Sequence, residues 1–254
     1  MVFGYLDVVV FYYTPTKEGF HLEGFLDHDQ LDADGEPLRW TGDLIADAAS
    51  VHDVLYLDPD RHEGGCNAHG LRKFRDDQDK APLLASRAMG FIGSIYDIEA
   101  RAREKGLEDA ALLAHRQQHA APVMMAFHAW LTKHQNDLVP EHPIAKAMGY
   151  YIRHWAALTR FLSVATVGLD NNFAENAIRP LALFRKNSLY VGGVEGAIRL
   201  SVMLTLIGTA RLAGVDPFSY LVWALERIVP HPSNRGLTAA DLTPRCYRAH
   251  LDGE

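Results

Sequence analysis

An α/β domain whose strands are interrupted by a large helical insertion is the fold class that the 254-residue sequence predicts. Three observations carry it. The first residues, up to about Tyr56, are rich in β-branched and aromatic side chains. Residues 69–167 change to Ala, Leu, Met, Arg and Gln, with apolar positions recurring at intervals of three and four. The stretch GLDNNFAENAIRPLALFRKN, residues 168–187, then mixes packing and polar residues in a way neither neighbour does.

Taken in order, VVVFYY (Val8–Tyr13) reads as a strand stopped by TPTKEG, and FHLEGFL (Phe20–Leu26) resumes with partial alternation, as in a hairpin. DHDQLDADGEP (Asp27–Pro37) reads as an exposed loop. DLIAD (Asp43–Asp47) is a short apolar run ending in an acid, the pattern of a buried strand whose C-terminal end emerges at a surface. In the helical block, Ile92, Ile95, Tyr96 and Ile98, then Met124, Phe127, Trp130 and Leu131, mark packed helix faces. Breaks at Gly106, Pro122 and VPEHP (Val139–Pro143) divide the block into three or four helices. Residues 168–229 hold the polar return segment and two further helices, Gly196–Leu212 and one from Phe218, separated by AGVDP. The expected organisation is one domain over 1–254: strands in 1–60, the insertion in 69–167, the return in 168–229 and an irregular tail in 230–254.

Composition is that of a globular chain, 48% hydrophobic and 22% charged. No apolar run is expected to span a bilayer, and no basic leader precedes a long apolar stretch, so the chain reads as cytoplasmic with no membrane partner. Cys66 and Cys246 give no disulfide framework. A formal net charge of −7 argues against a protein that simply coats nucleic acid, yet is compatible with an enzyme that confines its basic residues to a groove.

Asp47, at a strand end, and Glu175, early in a helix, are the carboxylates best placed to bind hard divalent cations through oxygen. The ordinary alternative is that both serve local structure, and any of Asp170, Asn171 and Asn172 can cap the helix that follows. Asp170 is also a candidate metal ligand. Arg179, Arg185 and Lys186 form a basic cluster suited to phosphate contact, although Glu175 and Arg179, four apart, could instead pair on one helix face. Pro180 predicts a kink or turn before Arg185 and Lys186. Arg72, Lys73 and Arg75 make a second basic face, in HEGGCNAHGLRKFR. There Cys66 and His69 have the spacing of zinc ligands, but no obvious fourth ligand is near in sequence. Neither a Walker loop nor a G-x-S-x-G elbow is present.

Several ordered motifs together resemble one family. DNNFAENAIRPLALFRKNSLYVGG, then GTARLAGVDPFSYL and HPSNR, resemble the C-terminal catalytic region of the insertion-sequence-66 family of bacterial DDE transposases. Upstream, GDLIADAASVHDVLY resembles the strand and turn around that family's second catalytic aspartate, and GCNAHGLRKF its next recurrent segment. The matches run in the family's order from about Val8 to Arg235.

The resemblance implies a ribonuclease-H-like mixed sheet with a helical insertion between the second and third catalytic acids. It makes Asp47 the second catalytic aspartate and Glu175 the catalytic glutamate. Both would be ligands to two Mg²⁺ or Mn²⁺ ions. Arg179, Arg185, Lys186, Arg72 and Lys73 become the DNA-binding candidates. The implied function is metal-dependent strand cleavage and strand transfer on transposon-end and target DNA, by a homo-oligomer or together with other transposase subunits, in the bacterial cytoplasm at the nucleoid. The departures are specific. The chain begins almost at the family's second strand, which reads as an N-terminal truncation with the first strand missing, and Asp7 is the candidate for the first acid. Asp-Ala-Ala stands where Asp-Gly-Tyr is usual, and DLTPR (Asp241–Arg245) replaces a Leu-Leu-Pro-Trp ending. The alternative is a catalytically inactive remnant that binds DNA or an intact transposase subunit.

Overall fold

The computed structural model describes residues 2–5, 8–16, 18–27, 39–47, 50–188, 190–228 and 237–253. The chain divides into two compact units: a central unit, Glu18–Asn171, and a terminal unit made of Met1–Lys17 and Asn172–Glu254. The described residues are α/β in class and mostly helical, with a small amount of sheet.

In the terminal unit, β1 (Val2–Tyr5) and β2 (Val8–Phe11) pair antiparallel, Val2 opposite Phe11 and Tyr5 opposite Val8. The β-branched run Val8–Val10 accounts for the strand. Helix α7 (Asn172–Asn187) packs on β1 and α8 (Gly193–Leu212) on β2. The far edge of β2 has backbone groups that β1 does not reach. Thr209 Oγ1 takes the Val9 N–H at 3.3 Å and donates to the Val9 carbonyl at 3.1 Å, and Thr205 Oγ1 takes the Phe11 N–H at 2.9 Å. Two hydroxyls one helical turn apart thus do for this edge what a neighbouring strand would do. Gly208 lets the helix approach that closely, since a Cβ there would stand 2.5 Å from Val9 Cγ1. Over an 18-residue window α8 reaches a mean hydropathy of 1.3, enough by length and composition to cross a membrane, which the sequence reading did not foresee. The end of α8, α9 (Pro217–Ile228) and α10 (Pro244–Asp252) enclose a small core of Ala210, Val215, Tyr220, Ala224 and Tyr247.

In the central unit, α1 (Phe20–Leu26) precedes β3 (Gly42–Ala46), which pairs parallel with β4 (Arg61–Gly65), Gly42 opposite Arg61 and Ala46 opposite Gly65. Arg61, 5% exposed, anchors β4: it donates to both Asp27 oxygens at 2.5 Å and to the Trp40 carbonyl at 3.0 Å. Helices α2 (Asn67–Asp76), α3 (Pro82–Glu104), α4 (Asp109–His134), α5 (Pro143–Arg153) and the short α6 (Trp155–Leu158) follow. Their shared core is one continuous cluster. Within it Phe127 stacks on Phe91 at 5.2 Å and meets the edge of Tyr151 at 5.0 Å. Such aromatic pairs add about 0.5–1.5 kcal/mol each beyond the area they bury.

Four local expectations are corrected, and RHEGG adds a strand that none of them covered. FHLEGFL is helix α1 and not a strand, because Leu22, Phe25 and Leu26 recur at three and four. Residues RHEGG form β4, a strand without alternation. Its glycines are demanded by packing, since a Cβ on Gly65 would lie 2.9 Å from Leu158. Pro122 does not break α4 and Pro180 does not break α7. The carbonyl a helical proline frees belongs to the residue four before it. Here those residues, Gln118 and Asn176, are exposed, while in α4 the buried face Ala120, Met124, Phe127, Leu131 runs unbroken past the proline. The tail is not wholly irregular, because Thr243 caps α10 by accepting the Cys246 N–H at 3.3 Å and Pro244 opens it. The loop expected at Asp27–Pro37 lies, past Asp27, outside the described residues.

Candidate functional site

Asp47 directly follows β3, at the C-terminal end of the parallel β3–β4 pair, with its side chain 44% exposed. The apolar run Leu44–Ala46 closes the strand, half-buried until Ala46, and places Asp47 just beyond its C-terminal end. His52, in the turn Ser50–His52, brings Nδ1 to 3.9 Å from the Asp47 carboxylate. Tyr150, on α5, has a phenol pushed up to about 12 by burial first, then by the charges of Cys66, Glu63 and Asp47. Tyr56 is raised by burial and then by Glu63, Asp53 and Asp47, and its hydroxyl donates to the Leu44 carbonyl at 3.3 Å. Glu63 and Tyr150 therefore belong to the electrostatic neighbourhood of Asp47, and sequence reasoning missed both. The signal for Glu63 was an acid in a segment not recognised as a strand. For Tyr150 there was no local signal.

Lys73, on the exposed side of α2, lies over the Tyr150 ring at 4.9 Å, while Arg72 beside it is exposed. Cys66, at the N-terminus of α2, is fully buried. Burial raises its thiol, against hydrogen bonds from the backbone of Asn171, His69 and Ala68. Three ties hold the segment that ends this unit. Asn67 donates its backbone N–H to the Leu169 carbonyl at 2.9 Å, its Nδ2 donates to the Leu158 and Leu169 carbonyls at 3.1 and 3.2 Å, and Tyr96 donates to Asp170 Oδ2 at 2.7 Å.

In the terminal unit, Glu175 is in the first turn of α7, where a helix favours an acid. Arg179, Arg185 and Lys186 are all exposed on the same helix. Among the described residues none of the three basic side chains makes an ion pair, so the pairing of Arg179 with Glu175 is not formed. Asp47 and Glu175 thus lie in different compact units, Arg72 and Lys73 accompany Asp47, and Arg179, Arg185 and Lys186 accompany Glu175. Asp7 lies outside the described residues. The donors available are of the right kind for a hard divalent cation, namely carboxylates at a strand end and at a helix start. Among the described residues, no three His, Cys, Asp or Glu side chains are grouped closely enough to share an ion.

Residues 4–199 match the model of the transposase IS66 family. The chain belongs to that family. Residues 205–236 match the IS66 C-terminal element, so the IS66 likeness continues through α8 and α9. Among curated proteins, the chain is 37% identical over 168 residues to the uncharacterized protein y4jD of Sinorhizobium fredii, covering 65% of this chain and 32% of that one. It is 34% identical over 183 residues to the uncharacterized protein y4hP of the same organism, covering 67% and 33%. This IS66 chain spans about a third of the length of the curated relatives it matches. No solved structure matches it.

Proposed function

We propose that this IS66-family chain carries the catalytic domain of a DDE-type transposase, performing metal-dependent DNA strand cleavage and strand transfer. The observation that carries the reading is the coincidence of the family match over residues 4–199 with an exposed Asp47 at the end of a parallel strand. A ribonuclease-H-like organisation with a helical insertion is part of the proposal. It is supported by the element order: an antiparallel hairpin, a strand ending in an acid, the helical block α2–α6, and a helix carrying Glu175 in its first turn.

Asp47 and Glu175 would hold the divalent cations through carboxylate oxygens, with Asp7 the candidate for a further ligand. When bound, Mg²⁺ or Mn²⁺ supplies activation of the attacking oxygen and stabilisation of the leaving oxygen in phosphoryl transfer. The chain's own part is positioning. Arg179, Arg185 and Lys186, exposed on α7, would grip the DNA backbone, and Arg72 and Lys73 on α2 would supply a second contact. His52, at 3.9 Å from Asp47, is placed to orient that carboxylate. Transposon-end and target DNA are the partners, with a homo-oligomer or other transposase subunits completing the assembly in the cytoplasm.

The test is strand cleavage and joining by the purified chain on labelled element-end DNA with Mg²⁺ or Mn²⁺, beside Asp47→Asn and Glu175→Gln. The expected result is product that needs metal and is lost in both variants while DNA binding is kept. A folded chain that binds DNA and forms no product with either ion would sink the catalytic assignment.

A further inference from the structure

A groove of about 340 Å³ opens in the terminal unit between the end of β2, α7 and the first turns of α8. Five aromatic side chains line it: Phe11 at the end of β2, Tyr12 and Tyr13 just after it, Phe184 on α7, and Tyr190 in the connection to α8. Its cationic residue is Arg185, with Ser188 beside it. The volume is at the lower end of the ~300–1,000 Å³ typical of sites for single small ligands. That suffices for one planar base with its sugar and is far too little for a duplex.

Two of the aromatics remain exposed after folding. Tyr190 is 81% exposed and Phe184 40% exposed. Yet the described backbone around Tyr190 makes specific contacts. Ser188 Oγ donates to the Tyr190 carbonyl at 3.1 Å, and Gly192 and Gly193 take φ of 81° and 78°, in the left-handed region that favours glycine. The first turn of α8 lies directly against the Val191 carbonyl, because a Cβ on Gly196 would fall 1.7 Å from that oxygen. An exposed tyrosine on a held loop, facing an aromatic-lined groove, is a stacking surface prepared in advance.

Charge selects among planar or apolar occupants. Arg185, the cation of the groove, makes no ion pair among the described residues and so offers its charge to something that carries phosphate, and Arg179 and Lys186 are exposed on the same helix. Aromatic faces beside unpaired cations are how proteins take bases of single-stranded nucleic acid, the base stacking and the backbone tracking positive charge.

We propose that this groove binds one unpaired base of single-stranded or locally melted DNA, with Tyr190 and Phe184 stacking the base and Arg185 holding its phosphate. The proposal rests on the DNA-processing reading above and adds a substrate feature to it, an extrahelical nucleotide.

The experiment uses the full chain and three probes: a short mixed-sequence single strand, the same strand with central abasic sites, and a strand with one central 2-aminopurine. The expected result is that the intact strand binds about 5- to 100-fold more tightly than the abasic one, the range that one stacked base spans. Tyr190→Ala should remove that difference and Tyr190→Phe should keep it. The 2-aminopurine emission of the wild-type complex needs no variant, and it should be quenched as the base stacks on tyrosine. Equal affinity for intact and abasic strands, with emission unchanged on binding, would overturn the groove assignment and leave the phosphate contacts standing. No binding to single strands or to duplex would overturn the DNA-processing reading beneath it.

Discussion

Replacing Arg116 should unfasten the central unit. This side chain, 2% exposed on α4, donates through Nε and Nη2 to the two Glu99 oxygens of α3 at 2.7 and 2.8 Å. Its Nη1 reaches the carbonyls of Phe161, Val164 and Ala165 at 2.8, 3.2 and 3.3 Å, so one guanidinium joins two helices to the turn that follows α6. Arg116→Met keeps most of the buried stem but leaves the Glu99 carboxylate, 14% exposed, and the three carbonyls without their donor. Truncating one partner of a buried ion pair costs about 3–5 kcal/mol, most of it from the charge left behind. With a urea slope near ~2 kcal/mol/M, the unfolding midpoint should fall by about 2 M with the slope unchanged. Equilibrium unfolding followed by circular dichroism reads this directly. If the orphaned charge is the cause, the double variant Arg116→Met with Glu99→Leu should recover more than half of the loss, since an apolar pair in place of a buried ionic one is often close to neutral. A single-variant loss under ~1 kcal/mol, or a double variant no better than the single, would refute the reasoning.

Two further outcomes follow from packing and from burial. Gly208→Ala should destabilise the terminal unit by about 1–3 kcal/mol despite alanine's better helix propensity, because its Cβ would stand 2.5 Å from Val9 Cγ1, whereas Gly90→Ala on α3, with nothing within 4 Å, should stabilise by about 0.5–1 kcal/mol. Thermal melts of the two variants check the opposite signs. Tyr150 holds its proton in the folded chain up to about 12, while in the unfolded chain it ionises near ~10. Between those values the folded state binds the extra proton, so stability is whole below pH ~10 and falls as pH rises toward 12, by an amount on the order of 2–3 kcal/mol. Tyr96 and Tyr56, raised in the same direction chiefly by burial, steepen the fall. Unfolding measured across pH 9–12 should show a shallower decline in Tyr150→Phe, and an unchanged slope would contradict the assignment.

What could be read from the sequence divides along a physical line. A strand made by a β-branched run, a strand ending in Asp47 and helix faces at three and four are local patterns, and the structure has them at Val8–Phe11, Gly42–Ala46 and along α3 and α4. Strand β4 could not be read that way, because Gly64 and Gly65 answer to Ile45, Val167 and Leu158, which approach from elsewhere in the chain. The same holds for the hydroxyls of Thr205 and Thr209, which satisfy a strand edge some 200 positions away. The stretch GLDNNFAENAIRPLALFRKN shows both kinds of information in twenty residues. Its first part, through Asn171, ends the central unit, where Asn67 takes hold of Leu169 and Tyr96 of Asp170. From Asn172 the chain is in the terminal unit, and the charged residues there are Glu175 in the opening turn of α7 and the exposed Arg179, Arg185 and Lys186 further along. The concentration of polar chemistry that marks this segment in the sequence therefore has two causes set end to end. One is the fastening of a chain leaving one compact unit, and the other is a helix whose exposed Arg179, Arg185 and Lys186 make no ion pair among the described residues.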